Sequence, residues 1–309
     1  MPRKNSVVVA LVGPTCTGKT ALSLELAEKL SCEIIACDSR TVYRGMDIGT
    51  AKPSPEEQKR ATHHMLDVLD PDRFFTVAEF KEKAEPILTQ SVKEERAAIV
   101  CGGTGLYARA LLEGIVIPKV EPHQQLRNDL NMFADTHGNI ALHRRLEELD
   151  AVTANRLSVN DRVRVIRAIE VSLIGGKPFS EAIAKEEPPF KTLWLGLFWQ
   201  DREEHRRVIS QRFDQQIENG LVKEVENLFG LKRYEAVLNR AVNYKEFVPY
   251  IKEEVQLDVV RAMCILHNYQ LARKQMLWFR GNKQINWFAV DQLSHENILE
   301  KAIDLIDRS

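Results

Sequence analysis

The chain has 309 residues, 44% of them hydrophobic, which is enough for one large domain or for a core carrying a second lobe. A net charge of −1 says nothing by itself about nucleic acid, and no apolar run is long enough to cross a bilayer. The five cysteines (Cys16, Cys32, Cys37, Cys101 and Cys264) form no C-x-x-C pair and no zinc spacing, which argues against a metal module and fits a reduced, cytoplasmic compartment.

In chain order, MPRKNS at 1–6 leads straight into a nearly continuous apolar run at 7–12, with no apolar leader. Such a run reads as a buried parallel strand. Leu22, Leu26 and Leu30 then recur at helical spacing over 21–30. EIIAC (33–37), AAIVC (97–101) and LWLGLF (193–198) read as further buried strands. Strands alternating with helices predict an α/β fold, a parallel sheet with helices on both faces. Between Pro118 and Pro189 the strand signal vanishes and the prolines bound a helical stretch. Residues 118–189 are therefore expected to form a helical insertion domain in a core built from 1–117 and 190–309. Helical pattern returns from Glu203 to Arg280, and QINWFAV (284–290) is a candidate last strand.

The turn after the first strand, Gly13-Pro14-Thr15-Cys16-Thr17-Gly18-Lys19-Thr20, fits G-x-x-x-x-G-K-[ST]. Its glycines let backbone N–H groups fold around phosphate oxygens, and the next helix points its positive end at them. Lys19 would reach the outer phosphate and the Thr20 hydroxyl would hold Mg²⁺, the expected cofactor. The motif does not name a reaction. A guanine-specific N-K-x-D element is missing, since NKQI at 282–285 ends in Ile. AAIVCGG ends in glycine where a hydrolytic ATPase usually carries an acid. Asp38, at the end of EIIACD, is placed to hold metal, to accept a proton, or simply to cap the next turn.

Residues 259–290, 32 in all, contain no Asp or Glu but carry Arg261, Arg273, Lys274, Arg280 and Lys283. Clearing acids from one long segment makes a local electrostatic footprint in a near-neutral chain. Arg273 and Arg280 are seven apart, and Lys274 and Trp278 four apart, so each pair shares a helix face. Cations beside an aromatic suit phosphate contact and base stacking. The plainer alternative is a solvated cationic helix with Leu277 and Trp278 in the core.

Three more stretches add a resemblance: DSRTVYRGMDIGTAKP (38–53), GGTGLYARALLEG (102–114) and ARKQMLWFRG (272–281). Together with the glycine-rich turn, and with HHMLD (63–67) and NGLVKEV (219–225), they resemble the bacterial-type tRNA dimethylallyltransferase (tRNA isopentenyltransferase) family over about residues 7–290. The resemblance implies a P-loop NTPase-like parallel sheet flanked by helices, with a helical insertion. It implies transfer of a dimethylallyl group from dimethylallyl diphosphate to the exocyclic N6 amine of the adenosine 3′ to the anticodon. The tRNAs would be those reading codons that begin with U, and diphosphate would be released. The partners would be dimethylallyl diphosphate and the anticodon stem-loop, with no membrane, and the enzyme would act as a cytoplasmic monomer.

The family pattern makes Asp38 the proton acceptor and puts Lys19 on the diphosphate. It brings Thr104 to the reacting centre, although Thr104 also reads as a cap of a helix at 105–112. Contacts to tRNA would come from Asp38, Ser39, Arg40, Thr41 and Thr104. Arg127, Arg164 and Arg167 would add contacts from the insertion, beside Arg162. Arg240, Asn243 and Lys245 would contribute, as would Arg273, Lys274, Gln275, Trp278 and Arg280. Four departures stand out: Asn243 for glycine, Ser158-Val159 for His-Pro, Cys16-Thr17 for Ala-Ser, and Val208 in the slot of a diphosphate-neutralising arginine. Arg207 is expected to take that last role through a local helix shift. Two rival readings share the cradle: a small-molecule kinase with Asp38 as base, and a non-catalytic RNA-binding protein.

Overall fold

A computed structural model describes residues 7–183 and 186–309; the leading 1–6 segment lies outside the described residues. Six strands form one parallel sheet: β1 (Val8–Val12), β2 (Glu33–Ala36), β3 (His63–His64), β4 (Ala98–Gly102), β5 (Thr192–Phe198) and β6 (Asn286–Ala289). Their order is β3-β2-β4-β1-β5-β6. All five β1 residues are buried, which explains why its sequence is continuously apolar rather than alternating. The expected last strand is present, with Leu195 of β5 opposite Asn286. β3, two residues alongside Ile34 and Ile35, is too short to leave a periodic trace in sequence.

The helices are α1 (Lys19–Leu30), α2 (Pro55–Arg60), α3 (Val77–Lys93), α4 (Gly105–Leu112), α5 (Gln124–Leu149, interrupted at Gly138), α6 (Ala151–Ala154), α7 (Arg162–Gly175) and α8 (Phe179–Ala182). After β5 come α9 (Arg202–Glu218), α10 (Leu221–Phe229), α11 (Glu235–Leu238), α12 (Val248–Ile251), α13 (Leu257–Arg280) and α14 (His295–Asp307). Ser54 and Thr76 open α2 and α3 with reciprocal capping boxes, satisfying two amides that each helix leaves unpaired. One face of the sheet is sealed by α1 and α14, whose Leu22, Leu26, Ile298 and Ala302 pack with Val9, Leu11, Ile99 and Leu195.

The chain divides into two compact units, Met1–Leu111 with Phe190–Ser309, and Leu112–Pro189. The second has its own core, in which Leu130, Leu142 and Leu146 of α5 meet Val165, Ile166 and Ile169 of α7. In the sheet, β2, β3 and β4 lie to one side of β1, and β5 and β6 to the other. Strand order thus reverses beside β1, and ligands of such sheets bind at the carboxyl ends there. Gly13, Asp38 and Thr104 follow the carboxyl ends of β1, β2 and β4 within two residues.

Candidate active site

The turn after β1 is shaped by its glycines. Gly13 has φ 140°, and a Cβ on it would lie 2.2 Å from the Leu197 carbonyl oxygen of β5, so no side chain fits. Gly18 precedes α1 with φ 83°. Among the described residues, no backbone N–H from Cys16 to Ala21 donates to a protein group; the first bonded amide is that of Leu22. A run of unpaired amides at a helix N-terminus is a nest for an anion. The Lys19 ammonium is buried beside it, and Nζ donates to the Pro14 carbonyl at 2.5 Å. Its pKa is lowered to about 8, chiefly by burial and in smaller part by the nearby Arg212 guanidinium.

Four side chains strap the outer surface of this turn. Trp199 Nε1 donates to the Cys16 carbonyl at 2.7 Å, and His205 Nε2 lies 2.9 Å from that of Thr15. Arg212 Nη1 donates to Thr15 Oγ1 at 2.9 Å and lies 3.4 Å from Cys16 Sγ. Gln275 Oε1 accepts from the Thr15 amide at 2.8 Å. Because a carbonyl only accepts, the His205 bond requires a proton on Nε2, and burial favours the neutral ring. Trp199, His205 and Arg212 were not legible as site residues in sequence. They act across about 190 positions, and the only local hint is that they follow a strand end.

The arginine expected from Arg207 is differently placed. Arg207 forms an exposed pair with Glu204 one turn earlier, Nε donating at 2.8 Å, and does not line the cavity. The guanidinium that reaches the turn is that of Arg212, five residues further along α9, where the helix passes the cradle. Both arginines lie on the one continuous Arg202–Glu218 helix.

A cavity of about 560 Å³ opens over the cradle, lined by Thr15 to Ala21, Asp38 to Thr41 and Gly102 to Thr104. Asp38 Oδ1 accepts from the amides of Arg40 at 2.7 Å and Thr41 at 3.3 Å. Its other oxygen has no hydrogen bond to the described residues. Thr104 Oγ1 accepts from the Ser39 amide at 3.1 Å, which holds the β2 and β4 ends together and leaves the hydroxyl proton available. Thr41 Oγ1 is buried without a hydrogen-bond partner among the described residues, although Thr41 lines the cavity. Buried polar atoms are nearly always paired, which makes this hydroxyl an exception.

Arg240 and Asn243 also line the cavity. Asn243 has φ 71°, the left-handed backbone that Asn tolerates. Its side chain is engaged as well: Nδ2 donates to the Gly49 carbonyl at 2.8 Å, and Oδ1 accepts from Asn268 at 2.6 Å. Lys245 lies 3.8 Å from the buried Glu246 carboxylate.

On α13, Arg273, Lys274 and Arg280 are exposed, and Leu277 and Trp278 are 68% and 37% exposed rather than in the core. Gln275, expected on this surface, is only 8% exposed and reaches the glycine-rich turn instead. A Cβ on Gly103 would lie 2.2 Å from the Gln275 amide, and one on Gly105 would lie 2.6 Å from Trp278 Cβ. Gly103 and Gly105 of GGTGLY thus leave room for α13, whereas a Cβ on Gly102 would lie 2.1 Å from the Cys37 carbonyl oxygen. In the Leu112–Pro189 unit, Arg127, Arg162, Arg164 and Arg167 are each paired, with Glu170, Asp135, Asp161 and Glu170 respectively.

An anion nest at the reversal point of a parallel sheet, with helices on both faces, defines a P-loop α/β protein that receives a phosphate-bearing ligand. The class can be narrowed. The IPP transferase family model matches residues 41–282, and the chain belongs to that family. It is 38% identical over 281 residues to the tRNA dimethylallyltransferase of Acaryochloris marina, covering 91% of this chain and 92% of that protein. To the tRNA dimethylallyltransferase of Geobacter metallireducens it is 41% identical over 285 residues, 91% of each chain. The crystal structure of full-length tRNA isopentenylpyrophosphate transferase from Bacillus halodurans matches with a TM-score of 0.72 at 31% identity, over 98% of both chains.

Proposed function

We propose that this chain transfers the dimethylallyl group of dimethylallyl diphosphate to the N6 amine of the adenosine 3′ to the anticodon, in tRNAs reading codons that begin with U. The observation that carries the reading is one cavity bordered by the unpaired amides after β1 and by the Asp38 carboxylate after β2. In the reaction the bond between the allylic carbon and the diphosphate oxygen breaks as the bond from carbon to N6 forms. Charge builds on the departing diphosphate, and the amides of Cys16 to Ala21, Lys19 and Arg212 stabilise it. The purine amine is a poor nucleophile because its lone pair is delocalised. Asp38 takes its proton on the carboxylate oxygen that the Arg40 and Thr41 amides leave untouched. Thr104 orients the amine, while Ser39, Arg40 and Thr41, which line the cavity, read the extruded base.

Mg²⁺ fits this chemistry through the Thr20 hydroxyl, which lines the cavity at the start of α1. The described residues hold no cluster of three or more His, Cys, Asp or Glu placed to hold a metal ion. The ion supplies charge neutralisation of the diphosphate. The exposed cations of α13 and the arginines of the insertion are read as tRNA contacts. Among the described residues, no helix is long and apolar enough to cross a membrane; a cytoplasmic monomer is part of the same reading.

The test supplies labelled dimethylallyl diphosphate, tRNA and, separately, labelled ATP. Allyl incorporation into tRNA is expected, and Asp38→Ala should cut turnover by about 10²–10⁴-fold with tRNA affinity nearly intact. Phosphoryl transfer from ATP with no allyl incorporation would overturn the reading.

A further inference from the structure

Phe74 is a large apolar residue at the surface. It precedes α3 and is 40% exposed, whereas its neighbour Phe75 is buried. The backbone beside it is pinned: the Phe75 amide donates to Tyr43 Oη at 2.9 Å, and the Phe75 carbonyl accepts from Tyr107 Oη at 3.1 Å. Phe74 is thus held on a fixed ledge facing solvent. The Arg240 guanidinium lies over its ring, 4.5 Å from the centroid. The Arg240 carbonyl in turn accepts from Arg40 Nη2 at 2.9 Å, and the Arg40 amide donates to Asp38. A continuous series runs from the carboxylate in the cavity, through Arg40 and Arg240, to an exposed aromatic ring.

The charges around Phe74 divide into two groups. Arg44 and Arg73 are paired with Asp70 and Glu79. Arg40 and Arg240, both lining the cavity, have no carboxylate partner among the described residues. A bare guanidinium laid on an aromatic face keeps its own outer face flat and weakly hydrated, the surface on which an unstacked nucleobase settles. Drawing the target base out of its loop strips the adjoining base of one stacking neighbour, so a replacement surface at the cavity edge is what the substrate lacks.

We propose that Phe74 and Arg240 form a stacking shelf for the nucleobase that adjoins the target adenosine, Phe74 being a positioning residue that holds the guanidinium flat. The inference rests on the function proposed above. It is tested with the full chain and anticodon stem-loop RNAs carrying either the natural nucleotide or an abasic one beside the target, at each flank in turn. Phe74→Leu should raise KM for the natural stem-loop about fivefold or more, the worth of one stacked base, with kcat and the donor KM unchanged. Phe74→Tyr should restore it. With an abasic nucleotide at the shelf flank, wild type and Phe74→Leu should have equal KM. 2-Aminopurine at that flank should be quenched on binding to wild type, and less so on binding to Phe74→Leu. An undiminished KM penalty on both abasic RNAs, or no penalty at all, overturns the shelf. Should Phe74→Leu fail to fold, wild type alone decides: an abasic flank that leaves KM unaltered overturns it. Absence of allyl transfer by wild type would instead strike the proposed function.

Discussion

In the Leu112–Pro189 unit every arginine of the expected tRNA set lies against a carboxylate, whereas Arg273, Lys274 and Arg280 on α13 have none among the described residues. The two groups looked alike in sequence, as basic clusters at matching positions of a family pattern. Their surroundings separate them. Glu170 is fully buried; it accepts from Arg127 Nε at 2.8 Å and Nη2 at 2.7 Å, from Arg167 Nη1 at 2.6 Å, and from the His123 amide at 2.7 Å. These four bonds hold the carboxyl below its usual range against the opposing effect of burial. One carboxylate thus organises two helices. Arg273, Lys274 and Arg280 are exposed and make no ion pair among the described residues, whereas Arg261, earlier on the same helix, pairs with Asp214 of α9. Cations of the first kind serve stability first, and those of the second kind are available to a polyanion.

The contrast breaks most visibly at Glu170. Glu170→Gln should lower the stability of the insertion by roughly 3 kcal/mol, the low end for a broken buried pair because both guanidiniums keep some solvent. Urea unfolding measures it, and a loss under about 1 kcal/mol would mean the pairing is incidental. On the α13 side, Arg273→Ala and Arg280→Ala should each reduce the slope of log tRNA affinity against log salt by about 0.7–0.9. Arg164→Ala should reduce it by less, since Asp161 already neutralises that charge; equal slopes for all three would erase the distinction.

Lys19 offers a third case, a buried cation that faces a cradle instead of a carboxylate. Its pKa is about 8 when the diphosphate is not bound, and a bound anion raises it. The ammonium's contribution to donor binding is therefore complete below pH 8 and is lost as pH climbs through the raised value. The donor dissociation constant should rise by up to about tenfold per pH unit above 8. A flat profile from pH 7 to 9 would contradict the burial argument.

The smallest effect belongs to Asn243. Asn243→Gly should cost about 1 kcal/mol by losing the bonds to Gly49 and Asn268. Asn243→Ala should cost more, because a Cβ remains in a left-handed backbone. Thermal unfolding that ranks them the other way would mean the side-chain bonds are idle.

Much of the site was legible because it is local. The spacing of Gly13, Gly18, Lys19 and Thr20, the apolar strand before them and the leucine period after them all lie within about thirty residues and report one strand–turn–helix unit. Asp38 was legible for the related reason that it ends a recognisable strand, and Thr104 through the resemblance carried by GGTGLYARALLEG. Legibility failed where partners are far apart in the chain. Gln275 looked like a surface residue between Lys274 and Trp278, yet it faces Thr15, 260 positions away. Arg207 and Arg212 sit on the same helix with similar neighbours, and only the passage of that helix over the cradle selects the second. Asn243 read as a tolerated substitution, while its two hydrogen bonds depend on Gly49 and Asn268, which no local pattern links to it.

By itself the sequence determined the class of fold, the phosphate cradle and the likeness to one enzyme family, because short-range periodicity and turn chemistry act within a few residues. Tertiary structure alone decided which cations are internally satisfied and which are left for a partner. It also decided which arginine of α9 reaches the glycine-rich turn, and that Phe74 lies under Arg240. Those outcomes depend on distances between elements folded together from remote parts of the chain, and charge pairing and stacking follow distance in space.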